Sequence, residues 1–234
     1  MELLSFLLAV FQDLPTHLAQ WTAMMGPWIY ILMFLIIFAE TGLIVTPFLP
    51  GDSLLFALGA LTAVTSTTAV GGEEVTRAAL DFKLLLILLI IAAVLGDMVN
   101  YSVGRWIGLK LFTNPNSKIF NPEYLRRTQE FYDRHGGKTI VLARFIPIIR
   151  TYAPFVAGLG RMKYRTFAFY NVLGGVIWIS VFLTAGHYFG NIPHVKKHFQ
   201  YVILAIIVIS VLPVVIEYFR AKRKSVAVLK ETQQ

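Results

Sequence analysis

Apolar residues dominate five long stretches of the chain, at 27–65, 82–104, 139–160, 166–190 and 199–219. About 20 consecutive apolar residues are needed for an α-helix to cross the hydrocarbon core of a bilayer. Residues 82–104, 166–190 and 199–219 meet that length and predict three crossing helices. The other two stretches are broken by proline. In "ETGLIVTPFLPGDSLL", Pro47, Pro50 and Gly51 interrupt the run, and the arm that follows, 52–65, is too short to span. Residues 139–160, "TIVLARFIPIIRTYAPFVAGLG", carry Pro147 and Pro154 and divide into arms that are each too short to cross. Both read as re-entrant hairpins, although the first arm of 27–65 is long enough to leave its depth open.

The polar intervals fix the rest of the organisation. The first 26 residues read as an interfacial N-terminal segment, because 3–11 are too short to span and Asp13 and Pro15 interrupt them. With no basic n-region and no small-residue cleavage site, they do not read as a removable signal peptide. Residues 66–81 are polar and read as a loop. The interval 105–138 contains "NPEYLRRTQEFYDRHGG", with Asn121 as N-cap, Pro122 at the first helical position and Gly136 as stop. It predicts a surface helix over 122–135, with Tyr124, Leu125, Thr128, Phe131, Tyr132 and His135 on one face. A basic tail occupies 220–234. The expected fold is one all-α polytopic membrane domain. It is an inverted repeat of two opposed hairpins, 27–65 and 139–160, each followed by a crossing helix that ends in a glycine pair, with a last helix at 199–219. The glycine pairs are Gly104 with Gly108 and Gly186 with Gly190.

Composition agrees with a membrane protein. The 234 residues are 56% hydrophobic and 15% charged, with a mean hydropathy of +0.66, whereas soluble domains are nearer a quarter charged. The net charge of +8 follows a pattern. Segments 105–138, 161–165 and 220–234 hold 15 of the 21 Lys and Arg. Basic loops face the cytoplasm, so these segments share that side and the C-terminus is cytoplasmic. Such charge reads as contact with anionic lipid rather than nucleic acid. No cysteine is present, so there is neither a disulfide framework nor a thiolate metal site. HExxH, P-loop and Ser-His-Asp arrangements are absent as well, and neither an enzyme nor a bound metal or cofactor is expected.

Charges within the apolar stretches are the candidates for function. A lone charge at the bilayer centre costs roughly 2.5–3.5 kcal/mol. Glu40 and Asp52 flank the first break, and Arg144 and Arg150 flank Pro147 in the second hairpin. Opposed tips with the acids facing the guanidiniums would neutralise all four. Plainer roles exist: Asp52 as an N-cap, Glu40 in a structural ion pair, Arg144 snorkelling to the interface. Asp97 lies on one helical face with Tyr101 and Gly104 and is a secondary candidate together with Tyr101. His187 reads as interfacial. Guanidinium forks match phosphate oxygens, and a phosphate met within the membrane belongs to a lipid. This assigns Arg144 and Arg150 to a lipid phosphate and Glu40 and Asp52 to proton coupling.

The motifs "ETGLIVTPFLPGDSLLFALGAL", "GDMVNYSVGRWIG", "NPNSKIF" and "FYDRHGGKTIVLARFIPIIRTYAPFVAGLGRM" closely resemble the DedA family of bacterial inner-membrane proteins, part of the wider VTT superfamily. The resemblance covers roughly 30–220. It implies two opposed re-entrant hairpins, a cytoplasmic (inner) membrane location and functional roles for Glu40, Asp52, Arg144 and Arg150. It further implies a lipid transporter, a flippase or scramblase of undecaprenyl phosphate or a phospholipid, coupled to the proton motive force and supporting the envelope. Membrane lipids and protons are the expected partners, and a homo-oligomer is compatible with them. A proton-coupled cation or drug antiporter and a non-transporting assembly factor are the alternatives.

Overall fold

The computed structural model describes residues 14–43, 51–63, 65–70, 73–111 and 136–189, with isolated positions 130, 192, 195, 201, 202 and 205. Pro47 and Pro50, the surface helix at 122–135, most of 199–219 and the basic tail lie outside the described residues. Those described form seven helices and one small β-hairpin. Helix α1 is Leu14–Met25, α2 Trp28–Gly42 and α3 Gly51–Ala63. Strands β1, Thr65–Val70, and β2, Glu73–Ala78, pair antiparallel. Helix α4 is Phe82–Leu111, α5 Lys138–Ala143, α6 Pro147–Leu159 and α7 Tyr164–Phe189.

Among the described residues two helices are long and apolar enough to cross a membrane, Phe82–Ile107 within α4 and Tyr164–Phe189. At 1.5 Å per residue, 26 residues reach about 39 Å, beyond the roughly 30 Å of hydrocarbon. Their outer faces carry exposed Leu84, Ile87, Ile91, Val172, Ile177 and Val181, as expected where the neighbour is lipid. Helices α2 and α3, at 15 and 13 residues, fall short of that span. Every residue of α3 from Gly51 to Thr62 is buried, which suits a helix that is apolar all round.

Two local features differ from the sequence reading. The loop expected at 66–81 is largely a β-hairpin. Its Thr- and Val-rich strands favour an extended backbone, and the Val70↔Glu73 register leaves Gly71-Gly72, a pair suited to a two-residue connection. Residues 1–13 lie outside the described residues; Pro15 lies in the first turn of α1, where a missing N–H costs nothing, and Leu18 of that helix is fully buried in the core. In the second broken stretch the break falls at 144–146 alone. Ile146 is extended ahead of Pro147, as the residue before proline prefers. Pro154 sits inside α6 without ending it.

The packing follows a regular scheme. Helix α2 packs on α4 and α5 on α7, whereas α3 packs on α7 and α6 on α4. Glycines permit the last two approaches. A Cβ at Gly59 or Gly186 would strike the backbone of the facing helix in the α3–α7 pair, and one at Gly104 or Gly158 would do so in the α4–α6 pair. The larger apolar core lies among α1–α4 and α7, and a smaller one joins α4–α7 around Tyr101, Ile140 and Phe167.

Candidate functional site

Helix ends and breaks deliver charge to one buried place. Glu40 is in the last turn of α2 and Asp52 in the first turn of α3. Arg144 lies at the bend after α5, and Arg150 in the first turn of α6. Asp97 and Asn100 are one turn apart on α4, while Asn171 and Trp178 lie two turns apart on α7. Glu40 is 1% exposed, Asp97 2%, Arg144 3% and Arg150 7%. Burial this complete makes pairing obligatory, because an isolated ion in a low dielectric costs several kcal/mol.

Arg150 is the centre of the cluster. Its Nη2 forms an ion pair with Glu40 Oε1, and its Nη1 donates to Asp52 Oδ1 at 2.7 Å. One guanidinium thus ties the end of α2 to the start of α3, using its fork to serve two separate carboxylates. Trp178 Nε1 donates to the same Asp52 oxygen at 2.9 Å. Glu40 Oε1 also accepts the Gly51 N–H at 3.2 Å. A Cβ at residue 51 would collide with that carboxylate, so glycine is required here for close approach. Glu40 Oε2 has no hydrogen-bond partner among the described residues.

Arg144 belongs to a second arm of the network. Its Nη2 donates to Asp97 Oδ2 at 2.5 Å and to Asn171 Oδ1 at 2.5 Å. Asn171 Nδ2 donates in turn to the Val94 carbonyl at 3.0 Å. The two arms meet at Trp178, whose ring lies 5.1 Å from the Arg150 guanidinium carbon and 5.9 Å from that of Arg144, within cation–π range. Asn100 Nδ2 bridges the Thr41 carbonyl at 3.2 Å and the Thr151 carbonyl at 2.7 Å. This joins α2 and α6 through α4 directly beside the ion pairs.

Residues 49–188 match the VTT domain profile. Over 230 residues the chain is 50% identical to Protein DedA of Escherichia coli K12, covering 98% of this chain and 100% of that protein. The chain belongs to the DedA family. Within it, Uncharacterized membrane protein Rv0364 of Mycobacterium tuberculosis H37Rv is 38% identical over 194 residues, 82% of this chain and 80% of that protein. Inner membrane protein YghB of Escherichia coli K12 is 33% identical over 210 residues, 87% and 90% respectively. No solved structure matches significantly.

In this DedA-family chain, Glu40, Asp52, Arg144 and Arg150 do converge, but not as one four-membered set. Arg150 takes both acids of the first broken stretch. Arg144 pairs with Asp97, because α5 packs on α7 and brings the bend against α4 at the level of that aspartate. Tyr101 stands apart from the charges. Its ring stacks on Phe167 and its hydroxyl donates to the Met162 carbonyl. His187 is half-buried and bonded to Thr62 Oγ1 at 2.7 Å rather than simply interfacial. Trp178, Asn171 and Asn100 were not anticipated. The two asparagines carried a usable signal, since a carboxamide inside an apolar run needs a partner across helices. An indole in such a run looks like any large apolar residue.

Proposed function

We propose that this DedA-family protein moves a lipid phosphate across the cytoplasmic membrane, with Arg150 and Arg144 as the phosphate ligands and Glu40 and Asp52 as the proton-coupled groups that compete for them. On this reading α2–α3 and α5–α6 are the two re-entrant hairpins of an inverted repeat, followed by α4 and α7 as crossing helices. The reciprocal packing supports the repeat. The first arm of each hairpin lies on its own crossing helix, and the second arm lies on the other's through a glycine contact.

The observation that carries the proposal is the buried Arg150 held between two carboxylates from opposite sides of a break in the chain. A guanidinium already satisfied by carboxylates has the fork that a phosphate needs. The cluster contains three carboxylates and two guanidiniums, so one added proton brings its formal charge to zero. A proton on Glu40 weakens its hold on Arg150 and opens a place for a phosphate oxygen. Each charge moved through the membrane potential gains about 2.3 kcal/mol per 100 mV, enough to drive the exchange in one direction. The short half-helices at the break also leave backbone N–H groups, such as that of Gly51, near the site.

The test is transbilayer movement of a labelled polyprenyl phosphate and of a labelled phospholipid in vesicles of purified protein, with and without a pH gradient. Arg150→Lys keeps the charge but loses the fork, and is expected to abolish movement while the protein still unfolds cooperatively. Wild-type rates in that variant would overturn the site. Cation flux driven by the pH gradient, without any lipid movement, would overturn the substrate class.

A further inference from the structure

At the far end of α4 a second feature lies outside the buried cluster. A cavity of about 940 Å³ opens between the last turns of α4 and the turn joining α6 to α7. Arg105, Arg161, Lys163 and Arg165 line it, together with Trp106 and Tyr164. Among the described residues no carboxylate pairs with any of these four cations. Arg105 donates to the Tyr101 hydroxyl at 3.1 Å, which holds one wall in place. Four cations without a paired carboxylate among the described residues make this lining positive.

Next to it runs an apolar groove of about 510 Å³, lined by Phe38, Leu95, Met98, Val99 and Val103. The two share Ser102 and Trp106, so the basic cavity continues into an apolar channel between α2 and α4. The exposed side chains of Leu95 and Val99 place that channel on the outer face of a membrane-capable helix.

The backbone adds an independent observation. Helix α6 ends with the Met162 N–H bonded to the Ala157 carbonyl and the Arg161 N–H bonded to the Gly158 carbonyl. In this C-terminal cap the residue at the position of Arg161 takes a left-handed conformation and is usually glycine. Here it is an arginine at φ +54°, the only non-glycine residue with positive φ among the described residues. The neighbouring Gly160, which would take that conformation without strain, does not occupy it. Local preference is overridden at the point where the side chain enters the basic cavity.

We infer that cavity and groove together hold one anionic phospholipid, its headgroup phosphate among Arg105, Arg161, Lys163 and Arg165 and an acyl chain along the channel beside Phe38 and Val99. Charge selects the headgroup, the contiguous apolar channel selects a lipid over a free anion, and Trp106 and Tyr164 sit where amphipathic rings favour the interface. The site is a binding site in its own right and holds whether or not the buried cluster transports anything.

Native mass spectrometry of the full-length protein in detergent tests it, with titrations of phosphatidylglycerol, phosphatidylcholine and inorganic phosphate. Each cation near an anionic headgroup strengthens binding about fivefold. Arg161→Gly is expected to weaken phosphatidylglycerol binding about fivefold while leaving the Tm equal or higher, because glycine suits the left-handed position. The triple variant Arg161→Gly, Lys163→Gln, Arg165→Gln is expected to lose roughly a hundredfold. Phosphatidylcholine binding should not change in either. Unchanged phosphatidylglycerol affinity in the triple variant overturns the site. Saturation by inorganic phosphate, with no preference for phosphatidylglycerol over phosphatidylcholine, overturns the lipid assignment.

Discussion

Replacing Arg150 with methionine preserves much of the side-chain volume but removes the cation shared by Glu40 and Asp52. Both carboxylates then stay buried, beside one another, with only the Gly51 N–H and the Trp178 indole among the bonds described above. Removing one partner of a buried ion pair costs about 3–5 kcal/mol, most of it from the charge left behind. For a chain of 150–250 residues each kcal/mol shifts the Tm by about 2–4 °C, so Arg150→Met should unfold about 6–20 °C below the wild type. Thermal unfolding in detergent followed by tryptophan fluorescence suits the measurement, since Trp178 faces the substituted group. The variant that also carries Glu40→Gln and Asp52→Asn removes the uncompensated charge and should recover most of the loss, because neutral replacements of buried ion pairs are often tolerated. If Arg150→Met melts within 2 °C of the wild type, the carboxylates are not buried against this guanidinium and the site described above is wrong. If both variants melt equally low, packing rather than charge explains the loss.

Other expectations follow from individual contacts. Trp178→Phe keeps the ring beneath the guanidiniums but deletes the indole donor to Asp52, a bond to a charged group worth about 1.5–3 kcal/mol; the Tm should fall accordingly, and no change would show that the bond is not formed. Asn171→Leu removes an acceptor from Arg144 and a donor from the Val94 carbonyl and should cost about 1–3 kcal/mol by the same assay. Gly104→Val forces α4 away from the Phe155 backbone of α6 and should destabilise by about 1–3 kcal/mol or more, whereas Gly136→Ala, with open space around its Cβ, is limited to the strain of its positive φ.

The buried acids and bases were legible because the penalty for a charge in hydrocarbon is large enough to stand out from any single sequence. Glu40, Asp52 and Arg150 sit in apolar runs at chain breaks, and the structure joins them. Partner choice was less legible. Arg144 and Arg150 are six residues apart around one proline, and nothing in the spacing says that a bend at 144–146 turns Arg144 toward Asp97 on another helix. Pro154 looks in the sequence like a second break, but it lies inside α6. A proline inside a buried helix removes one donor, and neighbouring groups can take up the freed acceptor, so α6 runs through it. The β-hairpin at 65–78 is hidden in the sequence because its polar content resembles a loop, although its threonines, valines and Gly-Gly pair favour paired strands.

The glycine contacts sort the helices into two sets. Backbones pressed together at Gly104 and Gly158 leave α4 and α6 no side-chain cushion to slide on, and those at Gly59 and Gly186 do the same for α3 and α7. Helix α2 travels with the first set and α5 with the second. The links from Arg150 to Asp52, Arg144 to Asp97 and Asn171 to Val94 all cross from one set to the other. Rocking of one half against the other would therefore unfasten polar clasps that a headgroup or water can replace, while the interlocked backbones ride along intact. If the proposed lipid movement uses this rocking, spin labels on α6 and α3 should report changing separations when lipid is moved, and labels on α6 and α4 should not.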